Sequence, residues 1–347
     1  MAEEENRHAG EDFEAGTDNN GTESSDTGPA PPRNPESNDP EKNREVEKEA
    51  ARELPSQAAA VHQRLRIDGQ KELSRDSMAL LWSAIAAGIS MSFSMVARGL
   101  LHAHLPATDV GFLIECLGYT VGFVVVILAR QQLFTENTVT AVLPVMSHPT
   151  LNSCWHLARL WGVVLVGNIV GAAVAAFTFQ RMPMFDATTQ AAFVTIGQHM
   201  MANTPGEMFG KGILAGWMIA TLVWVIPSAD QAKLWVITLI TYVMALGGFT
   251  HIIVGSSEAL YLALSGHAGW SEVVFHFALP TLAGNIIGGT FIFALISHAQ
   301  IRGDLEAQRE RKQGLIQRRH PIRAGLKKSE QAARHNPRSN DTTHRSR

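Results

Sequence analysis

Residues 248–258 read GFTHIIVGSSE and place His251 beside Thr250 and a Gly255–Ser256–Ser257 cluster, between the apolar runs LWVITLITYVMALG and EALYLALSG. An imidazole titrates closer to neutrality than any other side chain, so in such a setting it can lend or share a proton. A second polar stretch, RQQLFTENTVT at 130–140, supplies Thr135, and both Thr135 and Thr250 carry hydroxyls able to orient the ring. Backbone N–H groups at new helix N-termini, after the Thr135–Thr138 and Gly255–Ser257 segments, would favour an anion. The chemistry that fits is passage of a small weak-acid anion, drawn in by N–H groups and cations and neutralised where the path is driest. Arg98 and Arg130 are the second-rank electrostatic candidates. Glu136 and Glu258 oppose an anion, and unpaired burial of their charges is costly, so pairing of one or both arginines with these acids is expected.

Other chemistries have less support. No HExxH is present, no third ligand joins His251 and Glu258, and no CxxC spacing exists, so neither a metal nor a cofactor is expected. Ser256 and Ser257 lie in GSSEA rather than GxSxG, which leaves a serine nucleophile without backing and the chain without an enzymatic assignment. The two cysteines, Cys116 and Cys154, suggest no disulfide framework.

The elements that must hold these residues follow from a division in composition. Residues 1–77 carry nineteen Asp/Glu against ten Lys/Arg, residues 301–347 carry thirteen Lys/Arg against five Asp/Glu, and the 223 residues between hold six Lys/Arg and eight Asp/Glu. So few charges cannot solvate a soluble surface of that size; a bilayer accounts for them. The opening MAEEENRHAGEDFE has neither a basic n-region nor an apolar h-region, so the first span is the expected targeting signal. The reading is a disordered acidic tail over 1–55, an amphipathic helical segment over 56–77, a transmembrane domain over 78–300 and a basic tail over 301–347. That last tail lies beside a membrane exit and is read as meeting anionic lipid, not nucleic acid.

Six spans are predicted, at 78–101, 110–129, 157–180, 208–228, 233–249 and 274–297. Arg64, Arg66, Lys71 and Arg75 before the first, with Arg302, Arg309, Arg311 and Lys312 after the last, put both termini in the cytoplasm. VGNIVGAAVAAF from Val166 returns as AGNIIGGTFIFA from Ala283, an offset of 117, and LFT at 133–135 returns as GFT at 248–250, an offset of 115. A repeat of three spans inverts its second copy, so the fold expected is an all-α membrane protein of two inverted three-helix repeats with helices 2 and 5 interrupted at the two polar stretches. Gly167 with Gly171 and Gly284 with Gly288 mark close helix packing, and Asn168 and Asn285 are read first as interhelical hydrogen-bonding residues. The residues leave open a pore for a neutral small solute or a cation, and a membrane sensor or scaffold with a closed pore.

LFTENTV at 133–139, GNIVGA at 167–172, KGILAGWMIATLVW at 211–224, GGFTHIIVG at 247–255 and PTLAGNIIGGTFIF at 280–293 resemble the formate/nitrite transporter family in order and spacing, over about residues 70–300. The resemblance implies a homopentamer of six-span protomers with an aquaporin-like helix arrangement, in the inner membrane of a bacterium. It implies a pore for formate, nitrite or similar monovalent anions in each protomer. By that similarity His251 is the central pore histidine, Thr135 the threonine facing it, and Leu133, Phe134 and Phe249 the apolar constrictions. The chain departs from the family pattern at Thr250, where an acid is usual, and at Gly255, where an asparagine is usual. A lysine common near the start of the fourth span is displaced to Lys211, with Asn203 at the better-aligned position. These departures mark a divergent branch.

Overall fold

The structure, a computed structural model, describes residues 57–294 and positions 296, 297, 299, 301, 303 and 310. The acidic tail and most of the basic tail expected from the sequence lie outside the described residues. Within them the chain is helical, with no strand. The elements are α1 (Gln57–Leu73), α2 (Ser77–His104), α3 (Asp109–Leu128), α4 (Phe134–Thr140), α5 (Val142–Ser147), α6 (Leu151–Arg181), α7 (Ala187–Met201), α8 (Pro205–Ser228), α9 (Lys233–Leu246), α10 (Ile252–Leu264) and α11 (Glu272–Ala294).

Four of the long helices, α2, α3, α6 and α8, start on a residue whose side chain satisfies orphan N–H groups. The Asp76 carboxylate accepts from Met78 and Ala79 N–H at 2.9 and 3.1 Å to open α2. Thr150 with Ser153 and Thr204 with Glu207 form reciprocal capping boxes for α6 and α8, and Pro205 supplies the fixed φ that suits a first helical position.

Among the described residues five helices, α2, α3, α6, α8 and α11, are long and apolar enough to cross a membrane. The span expected at 233–249 differs. Its helix α9 stops after 14 residues, about 21 Å at 1.5 Å per residue, short of a hydrocarbon core of ~30 Å. The chain leaves the helix there because the Gly247–His251 segment turns and extends before α10 begins.

Two helix pairs form the scaffold. α6 lies against α2 and α11 against α8, close enough that a Cβ on Gly171 would fall on the Ile85 carbonyl and one on Gly288 on the Ile213 carbonyl. Lipid tails are as apolar as leucine, so such close backbone packing, not hydrophobic burial, drives association of helices within a bilayer.

Candidate functional site

The two interruptions share one backbone path. α3 ends with Arg130 in the left-handed region at φ 52°. Arg130 N–H donates to the Ile127 carbonyl at 3.2 Å and Gln131 N–H to the Val126 carbonyl at 3.0 Å. α9 ends with Gly248 at φ 57°, and the Gly248 and Phe249 N–H groups donate to the Ala245 and Met244 carbonyls at 3.1 and 3.0 Å. Both are Schellman endings, in which one left-handed residue lets the next N–H reach back and close the helix. Each is followed by an extended residue that opens the next helix: Leu133 at φ −104°, ψ 128° before α4, and His251 at φ −115°, ψ 126° before α10. The matched residues are 118 apart, since 248 − 130 and 251 − 133 agree.

This corrects the register expected from LFT and GFT. The counterpart of His251 is Leu133, and that of Thr250 is Gln132, not Thr135. The new helices also begin earlier than expected, at Phe134 and Ile252, so Gly255, Ser256 and Ser257 lie inside α10 and expose no N-terminal amides.

Asn168 and Asn285 hold the breaks in place. Asn168 Oδ1 accepts from Phe134 N–H at 2.9 Å, while its Nδ2 donates to the Gln132 and Ala84 carbonyls, each at 2.8 Å. Asn285 Oδ1 accepts from Ile252 N–H at 2.9 Å, and its Nδ2 donates to the Thr250 and Gly212 carbonyls at 3.0 and 2.9 Å. A broken helix in a dry environment leaves backbone groups that water cannot reach, and one carboxamide supplies both the acceptor and the donors they lack. The packing role read from the sequence thus extends to tying each third helix to its break.

His251 is buried and bridges the two halves. Its Nε2 lies 2.8 Å from Thr135 Oγ1, and Phe123 meets the ring edge-on with centroids 5.1 Å apart. Val254 N–H donates to Nδ1 at 3.4 Å. That donor requires an unprotonated Nδ1, so in the neutral ring the proton sits on Nε2 and is donated to Thr135. Thr250 also lines the cavity described below but does not bond the ring: its hydroxyl donates to the Met208 carbonyl at 2.8 Å.

On one side of this bond lies a cavity of about 170 Å³ whose walls include His251, Val254, Glu258, Arg98, Phe249 and Lys211. On the other lies a vestibule of about 730 Å³ against α1, lined by Glu136 and Arg130 together with Asp68, Glu72, Lys71 and Lys233. Neither space is lined by Leu133, Phe134 or Thr135. Leu133 is buried in the core, and the Phe134 ring packs edge-on against Trp161 of α6 at 5.9 Å. Of the three apolar residues singled out in the sequence, only Phe249 faces a cavity.

The charges divide between these spaces. Arg98 pairs with Glu258 at 3.4 Å, as expected, and more tightly with Glu115 at 2.8 Å. Arg130 makes no ion pair among the described residues and is exposed, so of the two arginines only Arg98 takes one of these acids. Gln132 donates through Nε2 to Glu72 at 2.9 Å and accepts through Oε1 from Asn137 Nδ2 at 3.0 Å, linking the first break to α1. One participant, Glu115, escaped the sequence reading, and Lys211 was noted there only as displaced. Glu115 carries a signal, since a lone carboxylate inside VGFLIECLGYTVGF must find a partner. Lys211, displaced in sequence, reaches back to Asn203 Oδ1 and so occupies the cavity wall.

The chain is similar to known proteins in both sequence and fold. The model of the formate/nitrite transporter family matches residues 59–299. Inner membrane protein YfdC of Escherichia coli K12 is 57% identical over 275 residues, 79% of this chain and 88% of that one. Formate channel FocA of Haemophilus influenzae is 26% identical over 204 residues, 51% of this chain and 70% of that one. Among solved structures, a pentameric formate channel with formate bound superposes with a TM-score of 0.54 at 23% identity, covering 63% of this chain and 95% of its own. A second, described as an FNT family ion channel, gives 0.60 at 17% identity, covering 68% and 96%. With paired helix breaks, each braced by an asparagine, and a match over most of its length, the chain belongs to the formate/nitrite transporter family.

Proposed function

We propose that the protein is a multi-pass inner-membrane channel or transporter for small monovalent weak-acid anions of the formate and nitrite class, and not an enzyme. Residues 78–300 form the transport domain, as six spans in two inverted three-helix repeats, with α3 continued by α4 and α5 and α9 continued by α10 as the interrupted members. Residues 56–77 pack at its cytoplasmic end, both charged tails (1–55 and 301–347) lie in the cytoplasm, and five copies assemble with a pore in each. The family membership and the named channel relatives support this reading.

The observation that carries it is the 2.8 Å bond between Thr135 and His251, made between the helix that follows the first break and the last residue of the second, beside the cavity that Lys211 lines. Lys211 draws an anion into that cavity. The Nε2 proton and the Thr135 hydroxyl then offer donors where water is scarce, and such donors are worth most in a dry site. Glu136 does not make the vestibule negative overall, because Arg64, Lys71, Arg130 and Lys233 match Asp68, Glu72, Glu136 and Asp230 in its lining.

The test is uptake of labelled formate and nitrite by liposomes carrying the full chain. Uptake should exceed that of protein-free vesicles and rise as external pH falls. His251→Ala should lower it about tenfold, the equivalent of one buried hydrogen bond of ~1.4 kcal/mol. Equal uptake by the wild type and the variant would refute the role of His251.

A further inference from the structure

The Thr135–His251 pair leaves one buried set of titratable groups unused. Arg98 of α2 donates from Nε and Nη2 to Glu115 Oε1 at 3.2 and 2.8 Å, and from Nη1 to Glu258 Oε1 at 3.4 Å. His102, one turn further along α2, meets the other oxygen of Glu115, with Nδ1 to Oε2 at 2.8 Å. The side chains of Glu258, Glu115 and Arg98 are 4%, 9% and 14% exposed, whereas that of His102 is 38% exposed. The four groups therefore form a row from an accessible imidazole to a carboxylate in the cavity wall. Among the described residues no other guanidinium is shared by two carboxylates.

The charge count of this row is unbalanced by one. Two carboxylates and one guanidinium sum to −1 when His102 is neutral, and a single proton brings the row to zero. An uncompensated charge in a dry site is expensive, and coupled groups hold such a proton jointly. Glu258 has the longer bond to Arg98, and its Oε2 has no partner among the described residues. It lies seven residues after His251, the extended residue that caps α10, and both side chains line the cavity.

His251 itself is poorly placed to part with a proton. Its Nδ1 faces a backbone donor, its Nε2 faces a hydroxyl, and no carboxylate contacts it to support a charged ring.

We propose that the His102–Glu115–Arg98–Glu258 row is the proton-carrying site of transport, with Glu258 as the group that exchanges the proton with the anion. This rests on the anion-transport reading above. In the step, the O–H bond of the Glu258 carboxyl breaks and an O–H bond forms on the anion, leaving a neutral acid in the cavity and the row at −1. The neutral acid moves on past the Thr135–His251 pair, and Glu258 takes its next proton from the cavity it lines, while Arg98 stays charged and fixes both carboxylates and the accessible His102 lets Glu115 exchange with solution. One proton thus travels with each anion.

The neighbouring elements present few competing groups. α3 adds buried Cys116 and Tyr119, α7 adds His199 at the cavity wall, and α8 adds Lys211. On α11, His276 is held by the Asn203 carbonyl at 2.6 Å and Glu272 by Gly269 N–H at 2.7 Å. Arg181, at the end of α6, lies over the Phe177 ring.

The experiment uses liposomes carrying the full chain with the membrane potential clamped. Labelled formate uptake and luminal acidification are recorded together, against protein-free vesicles. The wild type should acidify the lumen by one proton per anion. Glu258→Gln should lower the rate of proton-linked uptake about a hundredfold, the low end for a positioned proton donor. Glu258→Asp, which keeps the carboxyl group, should restore proton-linked uptake. Wild-type acidification in Glu258→Gln overturns the proposal while leaving anion transport standing. Equal loss in Glu258→Gln and Glu258→Asp also overturns it, because shape and not the proton would then be what matters. A wild type that moves no labelled anion overturns both readings.

Discussion

The first break, at 129–133, and the second, at 247–251, are built alike and used differently. Each ends its helix on a left-handed residue, Arg130 or Gly248, and each is tied by one asparagine through two hydrogen bonds, with a third from the same side chain to α2 or α8. What differs is the residue that opens the next helix. At the second break it is His251, whose Nδ1 accepts the Val254 N–H; at the first it is Leu133, which has no side-chain acceptor. The first break turns its polar groups outward, through Gln132 to Glu72 and α1, and the second turns its polar group inward, toward Thr135. A duplicated backbone can therefore keep its hydrogen-bonding frame while only one copy carries the imidazole.

The largest effect should come from breaking what the two copies share. Asn168→Ala would leave Phe134 N–H and the Gln132 carbonyl buried without partners, and Asn285→Ala would do the same to Ile252 N–H and the Thr250 carbonyl. Each orphaned group costs about 1–3 kcal/mol, so each variant should lose about 4 kcal/mol. Thermal unfolding in detergent should show a large drop for both. A large drop for only one would mean that the breaks are not equivalent supports.

Next in size is a test of how they differ. Thr135→Val removes the acceptor of the His251 Nε2 proton and should reduce formate flux about tenfold, the worth of one buried hydrogen bond near the upper end of its range. Thr250→Val removes only a bond to the Met208 carbonyl, so it should cost about 1 kcal/mol of stability and leave flux within about twofold. Comparable flux losses in both would place the two threonines on one path and undo the distinction between the breaks.

How much of this could be read from the sequence depended on whether the signal was chemical or conformational. The GN pairs at 167–168 and 284–285 were visible as a repeat, because close packing demands glycine and the broken backbone demands a carboxamide in both copies. His251 and Thr135 stood out because polar side chains are rare in an apolar run. The register of the breaks was hidden. It is set by the left-handed residue and by the amide each asparagine holds, and at those positions the copies share no letters: Arg130 against Gly248, Phe134 against Ile252. LFT and GFT match in type, yet sit three residues out of step. The Arg98–Glu115 pair was hidden for another reason, since its partners lie on different helices and only their scarcity in an apolar region advertises them.

The smallest effect concerns that same left-handed position. Arg130 holds φ 52° with a Cβ that this region penalises by about 1–2 kcal/mol, whereas Gly248 holds φ 57° without that cost. Arg130→Gly should relieve the strain and lose part of the gain to the greater freedom of glycine in the unfolded chain, for a net stabilisation of about 0.5 kcal/mol. Gly248→Ala should destabilise by about 1 kcal/mol for conformational reasons alone, because a Cβ there would come no nearer than 3.9 Å, to Lys211 Nζ. Thermal unfolding should therefore shift in opposite directions. If Arg130→Gly lowers stability instead, the arginine is kept for its charge in the α1 vestibule, where it meets Glu136, Glu72 and Asp68 across the cavity. The first break would then tolerate a strained turn in order to hold a cation, as the second holds its imidazole.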